Sequence, residues 1–209
     1  MKRGAFITFE GCEGSGKSTQ IRLLSERLKR EGISHIVTRE PGGSDIAEQI
    51  RAIILSGKNT AMCDECEALL YAAARAQHLR ERVQPELERG TLVLCDRFVD
   101  SSLAYQGYAR GLGMKFIEEI NAFALRDFRP DLTLFLNISP KSAFERKHGA
   151  DENDRMEQLG LNFHSRVYEG YLKLAESYPE RIVKVDCSGT KWDTAGNIYD
   201  ILKNRKIIN

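Results

Sequence analysis

Gly11-Cys12-Glu13-Gly14-Ser15-Gly16-Lys17-Ser18 satisfies the pattern G-x-x-x-x-G-K-[ST] at every fixed position. Such a loop cradles phosphate only if it leaves a buried strand and enters a helix N-terminus, where backbone N–H groups converge. Both flanks comply. Ala5-Phe6-Ile7-Thr8-Phe9 is a short apolar and β-branched run, and Thr19 to Glu31 carries Ile21, Leu24 and Leu28 at helical spacing. The glycines let the backbone wrap an anion without a Cβ clash. The loop, Gly11 through Thr19, is therefore the candidate triphosphate site, with Lys17 reaching the terminal phosphates and the Ser18 hydroxyl on Mg²⁺. Taken alone, the motif says that a nucleoside triphosphate binds, not what becomes of it.

A chain of 209 residues is most simply one α/β domain over 1–209. The formal net charge of +1 offers no general basic field for nucleic acid. No apolar run approaches the ~20 residues of a membrane span, and no signal-peptide core opens the chain. A cytoplasmic protein with neither nucleic-acid nor membrane partners is expected. Five cysteines then read as reduced thiols. Cys63-Asp-Glu-Cys66 lacks two further ligands at zinc spacing and opens a helix rather than ending a strand, so structural or incidental use is its default reading.

Strand and helix signals alternate, which favours a mostly parallel sheet covered on both faces. Strands are expected near 5–10, 34–38, 91–95, 132–137 and 181–186. Helices are expected near 18–31, 44–56, 65–89, 115–126, 155–178 and 194–205. In such sheets ligands gather beyond the carboxyl ends of the strands. There this chain places Glu13, then Arg39-Glu40-Pro41-Gly42-Gly43, then Asp96-Arg97.

Asp96 ends an apolar strand where a P-loop enzyme keeps a carboxylate of its Mg²⁺ shell, although an Asp-Arg pair there is often only a local salt bridge. Arg97 and Arg51 offer guanidinium forks for a second phosphate, and Arg51 reads equally well as a solvated helix residue. On the 65–89 helix, Leu69, Ala72, Ala76, Leu79 and Val83 form an apolar stripe for the core, while Tyr71 and Arg75 are neighbours on its other surface. Asp100 to Arg110 is rich in hydrogen-bonding side chains. Glu145 to Arg155 is a charged, turn-bearing insertion that is either solvated surface or a lid; as a lid it would bring Arg146, Lys147 and Arg155 to a transferred phosphoryl group.

Phe9-Glu10-Gly11 through Thr19, Thr38-Arg-Glu-Pro-Gly-Gly43, Leu69-Leu-Tyr-Ala-Ala-Ala-Arg-Ala-Gln-His78 and Asp96-Arg-Phe-Val-Asp-Ser-Ser-Leu-Ala-Tyr-Gln106 resemble the thymidylate kinase family in order and spacing. The resemblance covers nearly the whole chain. It implies a three-layer P-loop fold around a five-stranded, mostly parallel sheet, with a short lid at about 143–155. It also implies ATP as donor, dTMP as acceptor, Mg²⁺ at Ser18 and Asp96, and a homodimer. By the same resemblance Glu13 lies at the reaction centre and the sugar, and Arg51 and Arg97 hold the acceptor phosphate. Tyr71 stacks on the base, Arg75 donates to a base carbonyl, Ser102 and Gln106 meet the base edge, and Tyr105 crowds the sugar 2′ position. Arg39 and Pro41 complete the acceptor set. Lys17, Glu13, Asp96, Arg97, Arg146 and Arg155 form the catalytic set. With Ser15 rather than arginine in the loop and basic residues in the lid, the chain resembles the bacterial-type branch; Tyr71 for the usual Phe and Ala74 for the usual acid are departures from the pattern. Kinases for another monophosphate or for a nucleoside share this layout, and a non-catalytic nucleotide switch would share the loop alone.

Overall fold

Phe6 to Glu10 is buried at every position, so strand β1 (Phe6–Glu10) needs cover on both faces. The computed structural model describes residues 3–126, 128–147 and 154–208. After β1 come α1 (Lys17–Arg30), β2 (His35–Arg39), α2 (Asp45–Leu55), α3 (Asp64–His78), α4 (Gln84–Glu88), β3 (Leu92–Asp96), α5 (Val99–Ser102) and α6 (Met114–Leu125). Then follow β4 (Leu132–Asn137), α7 (Pro140–Lys147), α8 (Gly160–Ser177), β5 (Ile182–Asp186) and α9 (Lys191–Asn204). The five strands form one sheet in the order β2-β3-β1-β4-β5, and every described pairing is parallel.

Alternation along the strands divides the core. Ile7, Phe9, Leu94, Leu134 and Leu136 pack with Ile21, Leu24 and Leu28 of α1 and with Ile198 and Leu202 of α9. On the opposite face, Phe6, Val93 and Cys95 meet Leu79, Val83 and Leu87, while Phe135 joins Ile117, Val167, Tyr171 and Leu174. Side chains of this size contribute about 1.5–3 kcal/mol each on burial, which anchors the sheet that carries the site.

Three expectations are corrected. The 65–89 helix is not uniformly α: Leu79–Val83 is a π turn between α3 and α4. Pro85 follows at once, lacks an N–H and would crowd the carbonyl four residues back, which the wider turn relieves. The apolar stripe on that helix loses Leu69, which is 55% exposed. Arg155 does not begin the long helix. Its N–H donates to the Leu55 carbonyl, Asp154 bridges Ser56, and Met156 is buried, so 154–156 runs as a strap along the end of α2. Helix α8 starts only at Gly160, where φ is 75°. Most of the expected lid, residues 148–153, lies outside the described residues, as does the Lys147 side chain. Among the described residues no helix is long and apolar enough to cross a membrane.

Beyond the apolar core, a polar network fills the space between the sheet, α5 and α8. Glu10 is fully buried and accepts from the Phe98 amide, the Ser101 hydroxyl and the Tyr171 phenol. Asp100 lies near and is held by Arg181 and the Thr133 hydroxyl. Burial, and next the Asp100 charge, push the Glu10 carboxyl up to about 7, against the pull of Ser101, Arg97 and Tyr171. A carboxyl raised on folding favours the folded state fully below its unfolded value near 4.5, and that contribution is lost as pH rises through about 7. Chemical denaturation of the native chain should therefore show stability declining between pH 5 and 7.5 by on the order of 2 kcal/mol, and Glu10→Gln should flatten the slope. An identical slope in the variant would assign the titration elsewhere.

Candidate active site

The P-loop begins where β1 ends. Gly11 has φ 145°, and a Cβ there would sit 3.0 Å from the Leu136 carbonyl oxygen; Gly16 caps α1 with φ 94°, a conformation L side chains rarely adopt. These two glycines turn the chain so that α1 opens at Lys17 with its first amides unsatisfied by the helix. Lys17 is buried, and its Nζ donates to the carbonyls of Gly11 at 3.2 Å and Cys12 at 3.1 Å. Burial, and next the Arg97 charge, push its pKa down.

Register explains what faces the loop. Phe9 pairs with Asp96 and Asp96 with Arg39, so the ends of β1, β3 and β2 lie level and their following loops share one crevice. Ser18 Oγ donates to Asp96 Oδ2 at 3.1 Å, while Asp96 Oδ1 is buried and has no partner among the described residues. A hydroxyl beside a carboxylate with an unused oxygen at the mouth of a phosphate loop suits a hard divalent cation such as Mg²⁺. Among the described residues no three His, Cys, Asp or Glu side chains cluster to hold a metal by themselves.

Arg97 follows Asp96 in the left-handed region, φ 66°, with its amide bonded to the Phe9 carbonyl. For a non-glycine residue this is strained, and here it directs the guanidinium back across the loop. Arg97 donates to the Gly11 carbonyl at 3.0 Å, to Ser101 Oγ, to the Tyr171 hydroxyl and to Glu13.

A cavity of about 200 Å³ continues from there. It is lined by Glu13, Lys17, Ser18, Arg39, Pro41, Arg51, Asp96 and Arg97, and also by Tyr71, Arg75, Ser102, Tyr105 and Gln106. The Glu40–Pro41 peptide is cis, and the Pro41 carbonyl accepts from Arg51 Nη1 at 2.9 Å. Arg39 instead pairs with Glu48. Arg75 corrects another expectation. Rather than sharing a surface with Tyr71 it is 1% exposed, and it donates to Glu40, Asn121 and Ser102. Three of its five N–H donors are committed there, which locks the fork and leaves two for the cavity. Tyr105 is buried with no partner for its hydroxyl among the described residues, and burial pushes its phenol pKa well up, so it presents a neutral O–H.

Other predicted positions lie apart from this cavity. Cys12 is buried under the loop with its thiol toward the His164 carbonyl, and burial raises it to about 11, an inert thiol. Gly14 and Ser15 remain in the loop turn, and Thr19 sits in the first turn of α1. Arg146 donates to the Cys187 carbonyl at 3.0 Å, at the loop between β5 and α9. The Arg155 guanidinium is held by Glu67 and the Ile54 carbonyl. Cys63 and Cys66 are exposed free thiols.

Sequence reasoning passed over Glu40, Glu67, Ser101 and Asn121. Glu40 is 4% exposed and binds both Arg75 and His78, whose other nitrogen meets Thr38 Oγ1 at 2.7 Å. Its partners are 35 and 38 residues distant, beyond any local pattern; only its place between Arg39 and Pro41 hinted at a role.

Comparison with known proteins agrees with this geometry. The family model described as thymidylate kinase matches residues 9–197. A thymidylate kinase of Bacillus pumilus is 51% identical over 203 residues, covering 96% of each chain. Others are those of Bacillus velezensis, 53% identical over 90% of each chain, and of Halalkalibacterium halodurans, 49% identical over 98% of this chain and 99% of its own. With a family model spanning loop, cavity and sheet alike, and relatives matched almost end to end, the chain belongs to the thymidylate kinase family.

Proposed function

We propose that the protein transfers the γ-phosphoryl of ATP to the phosphate of dTMP, releasing ADP and dTDP, with Mg²⁺ as cofactor. The observation that carries this reading is the continuity of one cavity from Lys17 and Arg97 to Arg75 and Gln106, which offers a phosphate end and a base end. The acceptor is an ionised phosphate oxygen, so no strong base is needed, and rate enhancement comes from alignment and charge stabilisation. The P-loop amides and Lys17 hold the donor. Arg97, steadied by Glu13 and Ser101, and Arg51, steadied by the Pro41 carbonyl, align the acceptor phosphate. Ser18 and Asp96 would hold Mg²⁺, which would neutralise phosphate charge there. Of the expected lid arginines, Arg146 is proposed to stabilise charge during transfer on leaving the Cys187 carbonyl, whereas Arg155, held by Glu67 and the Ile54 carbonyl, takes no part in this reading.

At the base end, a guanidinium donor at Arg75 and an amide acceptor at Gln106 complement the 4-carbonyl and N3–H of thymine. Cytosine presents the opposite pattern on that edge. Tyr71, half-buried on the wall, offers a ring to the base, and the neutral Tyr105 hydroxyl narrows the sugar region.

A cytoplasmic homodimer is part of the proposal, with no membrane or nucleic-acid partner. Ile46 and Ile53 on α2, Leu69 on α3, and Phe116 and Phe123 on α6 are exposed; each like pair is seven residues apart and so shares a helix face. Helix α3 packs against both α2 and α6, so the proposed two-fold interface is the apolar surface these three helices share.

Lys17→Ala should lower kcat by about 10²-fold or more while leaving dTMP binding, measured by calorimetry, nearly unchanged. Retained turnover would remove the P-loop from the mechanism. Sedimentation equilibrium should give twice the 23.7 kDa chain mass, and Phe123→Glu should shift it toward the monomer. A native monomer at micromolar concentration would end the dimer assignment.

A further inference from the structure

Glu67 is 0% exposed on α3, and three side chains converge on it with four hydrogen bonds. Gln106 Nε2 donates to Oε1 at 2.8 Å, Arg110 donates through Nε at 3.3 Å to Oε1 and through Nη2 at 2.9 Å to Oε2, and Arg155 Nη2 donates to Oε2. The two guanidiniums pair with the carboxylate and hold it in place. Their meeting point also joins the strap at 154–156 to the polar segment that follows α5.

An ionised carboxylate has no hydrogen to donate, so an amide packed against it can present only its nitrogen. With Nε2 turned to Glu67, the Gln106 oxygen is the atom left for the cavity that Gln106 lines, and nothing among the described residues donates to it. An amide without this partner is free to turn over, and a turned amide replaces an acceptor by a donor at the same point. We propose that Glu67 is a positioning residue that sets pyrimidine specificity: by fixing the amide of Gln106 it keeps an acceptor, not a donor, opposite N3 of the base. The inference rests on the base lying against Arg75 and Gln106 as in the functional reading above.

Glu67→Gln tests it with almost no change in shape. Oε2 accepts from both Arg110 Nη2 and Arg155 Nη2, whereas Oε1 accepts from Gln106 and only a longer 3.3 Å bond from Arg110 Nε, so the new amide oxygen takes the Oε2 place and its NH₂ faces Gln106 at the loss of that longer bond. Gln106 then turns its oxygen to the new donor and its own NH₂ to the cavity, a pattern that accepts cytosine N3. Initial rates with dTMP and dCMP should show the ratio of kcat/KM for dTMP over dCMP falling by about tenfold or more, with KM for ATP unchanged. A parallel fall on both substrates, or an unchanged ratio, would overturn the positioning role. If the native enzyme itself shows no preference for dTMP over dCMP, it is the base-site reading that fails. A second measurement needs no folded variant at Glu67. In native protein labelled with ¹⁵N-glutamine, the Gln106 side-chain NH₂, assigned by its loss in Gln106→Met, should exchange with solvent at least about tenfold more slowly than a free amide, with or without dTMP. Exchange at the free-amide rate would contradict the proposal.

Discussion

The parallel register of β2, β3 and β1 is the constraint on which the site depends. Because Arg39, Asp96 and Phe9 stand level across three strands, the chain leaves the sheet at one height three times. Each exit carries different chemistry: glycines and Lys17, then Arg39-Glu40-Pro41, then Asp96-Arg97. A slip of one residue in any strand would exchange its two faces, so the apolar core that fixes register also fixes the spacing of these groups. Ile7 and Phe9 face α1 while Phe6 faces the π turn after α3, and that alternation leaves one choice.

Charge is the second constraint. Arg75, Arg97, Lys17 and Glu67 are all largely removed from solvent, and a buried charge is costly unless paired and fully hydrogen-bonded. Each here has specific partners: Glu40 for Arg75, Glu13 for Arg97, two backbone carbonyls for Lys17, and two guanidiniums for Glu67. Hydrophobic replacements would serve stability as well. The arrangement makes sense as preorganisation: donors and acceptors stand fixed before substrate arrives and need no reorientation during transfer.

Much of this was legible in the residues. The P-loop spells its own backbone, since glycines, strand and helix are local features. Five strands emerged from apolar runs, with ends within a residue or so of those observed. What escaped was non-local. Arg75 looked like a surface residue because its three partners come from distant parts of the chain: Glu40 in the loop after β2, Ser102 on α5 and Asn121 on α6. Leu69 fitted a core stripe because spacing does not say where the core ends. Arg155 looked helical because only the Leu55 carbonyl and the Ser56 bridge reveal the strap. The π turn before Pro85 is a tertiary accommodation to a residue whose sequence signal reads merely as a helix break.

The most direct test of the account is a coupled ADP-release assay on the native enzyme with ATP and Mg²⁺, run across dTMP, dUMP, UMP, CMP, AMP, GMP and thymidine. The account predicts dTMP as best substrate, weaker use of dUMP, and none of thymidine, which brings no acceptor phosphate to Arg97 and Arg51. Preference for a purine monophosphate, or turnover of thymidine equal to that of dTMP, would contradict it.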